Sequence, residues 1–469
     1  MSAVALPLRP RALPAKPLTA GRSGRAMVAV VLLLLAAGLR NFNFAVTALT
    51  MIGLIALFAG YFRPDLGLMG GGILCTVDAL TRNFLLTGDL LRWNSFNYLL
   101  LLVSAVSLKR LLRWRDTPIR LLEALLLLLA IGMLYTEDRM EGAQHILNAT
   151  AFFGIMVIVE RAGRSDQAWV STGVVCATAG AFGGLIFFLH PTAQRLINPN
   201  SFAYFPLTAL LMAIFAIGRR NISRITRVSL MLLAAVNAGW IFLSGSRGTS
   251  LVAIVGLLYG LSRARRPLTA VILAVGMFAA GLLVVDLFGE QAERSTQRIN
   301  KLLDTRYSLA GRTSGRWDIA RAGWYIFLDH PVSGVGTGAF AVNWKRLTGV
   351  SGLSMYGWGR EVQAHSGWIK VLAENGAPGF LLLAAFVLSF AWLGFRGGGR
   401  DIWPLGLLTT VSFTVALLTT EFQPKGLWFL AAATVLFLRR APVRERRPAL
   451  WTESAAPIRL RVAEAPPRV

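Results

Sequence analysis

The chain has 469 residues, of which 55% are hydrophobic and only 15% charged, and its formal net charge is +25. Its apolar residues fall in long runs that recur from Met27 to Leu438, which excludes a soluble globular domain and predicts one helical membrane domain with an inserted loop. The basic excess shows no aromatic interleaving and no groove-reading motif, so it argues against nucleic acid and for membrane topology, lipid headgroups and a few anionic ligands.

The first 25 residues are rich in Pro and Arg. The apolar run that follows, Ala26 to Leu39, has no convincing cleavage site behind it and reads as a retained first helix after a cytoplasmic tail. Apolar runs then predict spans at roughly 26–40, 43–62, 66–86, 94–108, 119–135, 144–161, 167–189, 202–218, 226–244, 249–263, 268–288, 376–395, 402–420 and 424–439. Several are shorter than the ~18–20 residues of a straight span, so the expected architecture is an all-α bundle of about 12–14 spans.

Alternating these runs puts Arg9, Arg11, Lys16, Arg22 and Arg25 on one side, together with Lys109, Arg110, Arg113 and Arg115. Arg219, Arg220, Arg224 and Arg227 follow on that side, as do Arg263, Arg265, Arg266, Arg396 and Arg400 and the cluster from Arg439 to Arg447. Basic residues in short loops mark the cytoplasmic side, so both termini are expected there. The expected organisation is a basic tail over 1–25, spans over 26–288, an outward-facing loop over 289–375, further spans over 376–439 and a second tail over 440–469. Cys75 and Cys176 both lie within apolar runs and match no metal-ligand spacing.

Four places carry polar chemistry. The segment Ser244-Gly245-Ser246-Arg247-Gly248 joins two spans; its small residues would let an anion approach the backbone N–H groups, although a lone Arg at a helix end also snorkels to headgroups. In the long loop, Gly311-Arg312-Thr313-Ser314-Gly315-Arg316-Trp317 stands at the start of a predicted amphipathic helix. Trp317, Ile319, Ala320, Trp324, Phe327 and Leu328 would form its apolar face, lying on or over the membrane surface. Two arginines at a helix N-terminus oppose the macrodipole unless an anion is bound between them, the alternative being a solvated basic loop. Pro331-Val332-Ser333-Gly334-Val335-Gly336-Thr337-Gly338 lacks the phosphate-loop pattern and predicts a tight turn in which Gly supplies positive φ. His365 precedes a short helix to Glu374, which Asn375 and Gly376 end before Pro378 opens the next span; its imidazole titrates near neutrality and suits a general base, or serves as a structural histidine.

The chain has no Asp-x-Asp pair, HExxH, Walker loop or GxSxG, which disfavours ATP hydrolysis and metal-assisted use of nucleotide sugars, and no metal site or cofactor is expected.

These segments resemble the O-antigen ligase and polymerase superfamily of membrane glycosyltransferases. The resemblance rests on Asn198-Pro199-Asn200-Ser201-Phe202-Ala203, Ser246-Arg247-Gly248, Arg312 with Trp317, His330 to Gly336, His365, and Glu374-Asn375-Gly376-Ala377-Pro378-Gly379, and covers roughly residues 195–395. Where the family commonly has His-Asn, this chain has His365-Ser366. The resemblance implies a multi-pass protein of the bacterial inner membrane that transfers a polysaccharide from an undecaprenyl-diphosphate carrier at the periplasmic face. The acceptor would be a sugar hydroxyl of lipid A-core for a ligase, another carrier-linked repeat for a polymerase, or a Ser or Thr for a protein oligosaccharyltransferase; the compact loop and basic character favour the ligase. His365 is then expected as general base, with Arg247 and Arg312 acting on the diphosphate, Arg316 as a further diphosphate ligand, and Arg195, Asn200 and Glu374 as possible substrate contacts. A solute transporter is the rival class, argued against by the few ionisable residues deep in the spans, chiefly Asp78 and Glu123. The sugar, its stereochemistry and the oligomeric state are not legible.

Overall fold

The computed structural model describes residues 18–39, 42–81, 95–107, 113–163, 165–190, 199–219, 222–262, 304–313, 315–347, 362–396, 403–420 and 425–440, together with isolated positions between them. Both expected tails lie largely outside the described residues, as do Arg195 and, apart from isolated positions, the span expected at 268–288.

The membrane-type helices come first as α1 (Arg22–Gly38), α2 (Phe42–Ala59), α3 (Pro64–Thr81), α4 (Ser95–Val106), α5 (Thr117–Gly132) and α6 (Arg139–Ala162). They continue as α7 (Asp166–Leu189), α8 (Pro199–Ile217), α9 (Arg224–Leu243) and α10 (Arg247–Ser262). Three shorter helices follow in the loop, α11 (Leu309–Arg312), α12 (Arg316–Asp329) and α13 (Phe340–Leu347), and then α14 (Gly367–Arg396), α15 (Trp403–Thr419) and α16 (Lys425–Arg440). Among the described residues there is no strand, only an isolated bridge pairing Leu18 with Ile222. Among the described residues, five helices are long and apolar enough to cross a membrane: Arg139–Ala162, Asp166–Leu189, Asn200–Ile217, Arg224–Leu243 and Gly367–Arg396. Shorter apolar helices accompany them, among them Trp403–Thr419. The chain is an all-α, multi-pass membrane bundle.

Polar residues just outside the apolar runs set where several helices begin. Asp138 accepts the Glu141 N–H at 3.0 Å before α6, Ser165 accepts the Ala168 N–H at 3.3 Å before α7, and Ser223 accepts the Thr226 N–H at 3.1 Å before α9. Each such cap contributes roughly 1 kcal/mol.

In a bilayer the helices gain little from hiding apolar surface against one another, so close packing and interhelical hydrogen bonds hold them together. Asn237 and Trp240 of α9 supply two such bonds, donating to the carbonyls of Ala177 and Ala181 on α7 at 3.0 and 2.7 Å. A ring cluster joins α6, α14, α15 and α16, with Phe152 5.7 Å from Trp428 and Phe413 5.2 Å from the same indole.

The two ends of the bundle differ in their electrostatics. At the end where α6 and α16 finish and α5 begins, the Arg439 guanidinium grips Asp116, with Nε 3.0 and 2.9 Å from its two oxygens, lies 3.6 Å from Glu160, and stacks on Trp114. Nearby, Arg219 is sandwiched between Phe215 and Phe437 and faces Asp166 at 3.9 Å. The opposite end carries the loop helices.

There α12 packs through Ile319, Ala322 and Ile326 into a small core with Phe340, Trp344, Ala364 and Ala373. Of the apolar face expected to lie on the membrane surface, only Ile319 is buried in this core. Trp317, Trp324 and Leu328 are exposed, at 46%, 49% and 53%. The cause is size: Gly323 sits so close to Ile369 that even a Cβ would overlap it, so the small residues take the contact and the bulky rings face away.

Candidate active site

The C-terminal end of α15 is where the polar segments meet. Gly248, at the start of α10, lies against Thr419, and a Cβ there would come within 2.7 Å of Thr419 Oγ1 and Cγ2. Thr419 Oγ1 is in turn 3.3 Å from the Tyr204 hydroxyl on α8. The next residue fixes the histidine segment: the Gly367 N–H donates to the Thr420 carbonyl at 2.9 Å, and Ser366 Oγ donates to the Leu417 carbonyl at 3.0 Å. Trp368 Nε1 adds a bond to the Thr414 carbonyl at 3.1 Å.

Two of the arginines singled out in the sequence touch across this arrangement. Arg247 Nη1 donates to the main-chain oxygen of Arg312 at 3.2 Å, across 65 positions of sequence. Arg312 Nε is buried and has no hydrogen-bond partner among the described residues. A buried N–H left unsatisfied costs about 1–3 kcal/mol, more when charged, which an anion placed there would relieve. Arg316 is half-buried and close enough to the Tyr204 phenol to act on it electrostatically.

The local fold departs from expectation at Arg312. It does not open the amphipathic helix but closes the separate turn α11, and Gly315, with φ 79°, breaks the chain before Arg316 begins α12. Arg312 therefore sits where a helix dipole favours a cation, whereas Arg247 and Arg316 both occupy helix N-termini, where it favours an anion.

His365 is exposed, with φ 49°, and is the one non-glycine residue of positive φ among those described. Histidine enters this region more readily than most residues, yet the conformation still costs energy and persists because its neighbours are anchored. Asn200 is half-buried in the first turn of α8, one turn before Tyr204.

Glu374, expected as a possible substrate contact, is turned inward instead. It is 2% exposed, and its Oε1 accepts the Phe340 N–H at 3.1 Å and lies 3.8 Å from Lys370 Nζ. It secures the glycine-rich turn, which has the conformation its composition predicts: Gly334, Gly336 and Gly338 have φ of 64°, 98° and 96°. The Val335 and Gly336 N–H groups donate to the carbonyls of Ala373 and Glu374 at 3.1 and 2.9 Å, and the Ala377 N–H donates to Pro331 at 2.8 Å. That clamp needs the break at Gly376, with φ 63° and ψ −163°, which divides α14 into a short helix and a long one.

Residues 230–384 match the family model described as O-antigen ligase. That stretch is similar to the O-antigen ligase family over about a third of the chain. The match supports membership of the O-antigen ligase and polymerase superfamily, whose members are membrane glycosyltransferase-like enzymes. The matched segment contains Arg247, Arg312, Arg316 and His365, while Asn200, Tyr204 and Thr419 lie beyond it. No curated protein matches the chain.

Sequence reasoning missed Tyr204 and Thr419, whose relevance comes from which helices pack together. It also undercounted the buried ionisable groups. Lys370 and Lys425 are 2% and 0% exposed, whereas Glu123 is half-exposed and paired with Arg120 at 2.6 Å. A charged residue inside an expected span was the signal for Lys425, whereas Lys370 fell in the expected loop.

Proposed function

We propose that the chain is an O-antigen ligase of the bacterial inner membrane, with both termini cytoplasmic and the α15 end of the bundle facing the periplasm. It would transfer a glycan from undecaprenyl diphosphate to a sugar hydroxyl of lipid A-core. The observation that carries the reading is the meeting of Arg247 with Arg312, whose buried Nε has no hydrogen-bond partner among the described residues, inside the segment matched by the O-antigen ligase model.

In this mechanism Arg247, Arg312 and Arg316 hold the diphosphate by charge-assisted bonds and stabilise the charge that grows as the bond from the sugar anomeric carbon to phosphate oxygen breaks. The acceptor hydroxyl attacks that carbon and gives its proton to the His365 imidazole, and undecaprenyl diphosphate leaves with the bonding electron pair. The diphosphate is already a good leaving group, so arginine forks meet the electrostatic need. The compact outer loop and the net charge of +25 suit a large phosphorylated acceptor, which favours the ligase over a polymerase or a protein oligosaccharyltransferase.

The test supplies membranes containing the chain with an undecaprenyl-diphosphate-linked oligosaccharide, with and without lipid A-core. Transfer to the core that disappears in His365→Ala, by the ~10²–10⁴-fold typical of a lost general base, is the expected result. Chain elongation without core would mean a polymerase, and solute uptake by proteoliposomes lacking any lipid carrier would mean a transporter.

A further inference from the structure

A buried polar cluster behind the histidine turn has no part in the mechanism above. Lys370, whose side chain is 3% exposed, donates from Nζ to Glu141 Oε1 at 3.0 Å and to Gln363 Oε1 at 3.2 Å. The same Glu141 oxygen lies 2.8 Å from His145 Nε2, and Glu374 Oε1 lies 3.8 Å from the ammonium. One lysine thus ties α6 to α14 and, through Gln363, to the segment that ends two residues later at His365.

Burying a lysine with two carboxylates is a poor way to gain stability. The desolvation cost is several kcal/mol per ion, so such a group is better understood as fixing a geometry than as strengthening the fold. The geometry in need of fixing is adjacent. His365 is exposed and left-handed, and the turn around it is held at Ala364, 2% exposed in the loop core, and at Ser366 and Gly367, bonded to α15. Ser366 and Gly367 fix the turn from its C-terminal side, and on its N-terminal side Val362 and Ala364 pack into the loop core while Gln363 adds a hydrogen-bonded side-chain anchor to Lys370.

We infer that Lys370 and Gln363 are positioning residues, which hold the His365 turn at the angle that presents its imidazole to the acceptor hydroxyl. The inference rests on the proposed role of His365 as base. A base displaced by about 1 Å can lose as much as 10²-fold in rate while substrate binding is untouched. The cluster should therefore act on turnover and leave donor affinity alone.

The experiment uses the full-length protein in detergent, with an undecaprenyl-diphosphate-linked oligosaccharide as donor and lipid A-core as acceptor. Gln363→Met removes the tether and leaves the Lys370 to Glu141 ion pair in place, so the fold is spared. Expected are a fall in kcat of about 10- to 100-fold, a donor KM within about twofold of wild type, an unchanged Tm, and recovery in Gln363→Glu, which restores an acceptor for the ammonium. Lys370→Met should lose at least as much turnover, and Lys370→Arg should retain part of it. Wild-type kcat in Gln363→Met would overturn the inference, and so would a loss that tracks the amount of folded protein and is not recovered by Gln363→Glu. His365→Ala, run in parallel, separates the two ideas: an inactive His365→Ala beside a fully active Gln363→Met refutes only the tether, whereas an active His365→Ala refutes the base itself.

Discussion

Arginine is used in two different ways at the two ends of this bundle. At one end Arg439 has its needs met within the protein: Asp116 takes it by both oxygens, Glu160 lies beside it, and Trp114 lies under its plane. At the other end Arg247 donates to the main-chain oxygen of Arg312, and Arg312 keeps a buried Nε without a partner among the described residues. A satisfied guanidinium clamps helices together, and in the proposed mechanism the unsatisfied one receives the diphosphate.

Substitution by lysine should break this symmetry most sharply. A point charge cannot reproduce the planar fork, so Arg247→Lys and Arg312→Lys should each lower the transfer rate by about 10²–10³-fold with normal amounts of folded protein. Arg439→Lys, measured by the same assay, should keep the wild-type rate per folded molecule. Equal effects at the two ends would dissolve the distinction.

The next largest effect tests whether the loop end is held rigid. In Gly376→Ala the new Cβ would meet Val332 O at 2.5 Å in a backbone conformation that L-residues rarely adopt. Strain of about 1–3 kcal/mol, with the clash in addition, should lower the melting temperature and loosen the loop against α14, which limited proteolysis between α12 and α14 would detect. Proteolysis and melting like wild type would mean that the turn is not a clamp.

The smallest effect belongs to the clamp at the other end. Arg439→Ala removes a partly exposed ion pair and a ring contact, so the expected loss is about 1–3 kcal/mol of stability, read by thermal melting. Transfer per folded molecule should not change.

The sequence made the helices legible because apolar runs of the right length admit few other structures in a membrane, and Gly334, Gly336 and Gly338 announced a tight turn through their backbone freedom. Arg247 stood out in a short segment between spans, Arg312 in the long loop before a predicted helix, and His365 before the helix that leads back into the membrane. Other features were hidden, for physical reasons. Tyr204 and Thr419 meet because α8 and α15 pack together, and no local period encodes such a pairing. The face by which α12 meets the protein was not legible, because hydrophobicity alone ranks Trp317 and Trp324 above Ala322 and Gly323, while close packing against Ile369 selects the small residues. The inward turn of Glu374 was not legible either, because its partner, the Phe340 N–H, is 34 positions away in sequence.

The central claim is that the arginines at the α15 end receive a diphosphate, and binding tests it more directly than turnover. The affinity of the detergent-purified full-length chain for undecaprenyl diphosphate and for inorganic pyrophosphate should be measured for wild type, Arg312→Ala and Arg439→Ala. The account predicts that Arg312→Ala weakens both ligands by about tenfold or more, the loss of one charge-assisted contact, while Arg439→Ala binds like wild type. Equal affinity in wild type and Arg312→Ala would contradict it.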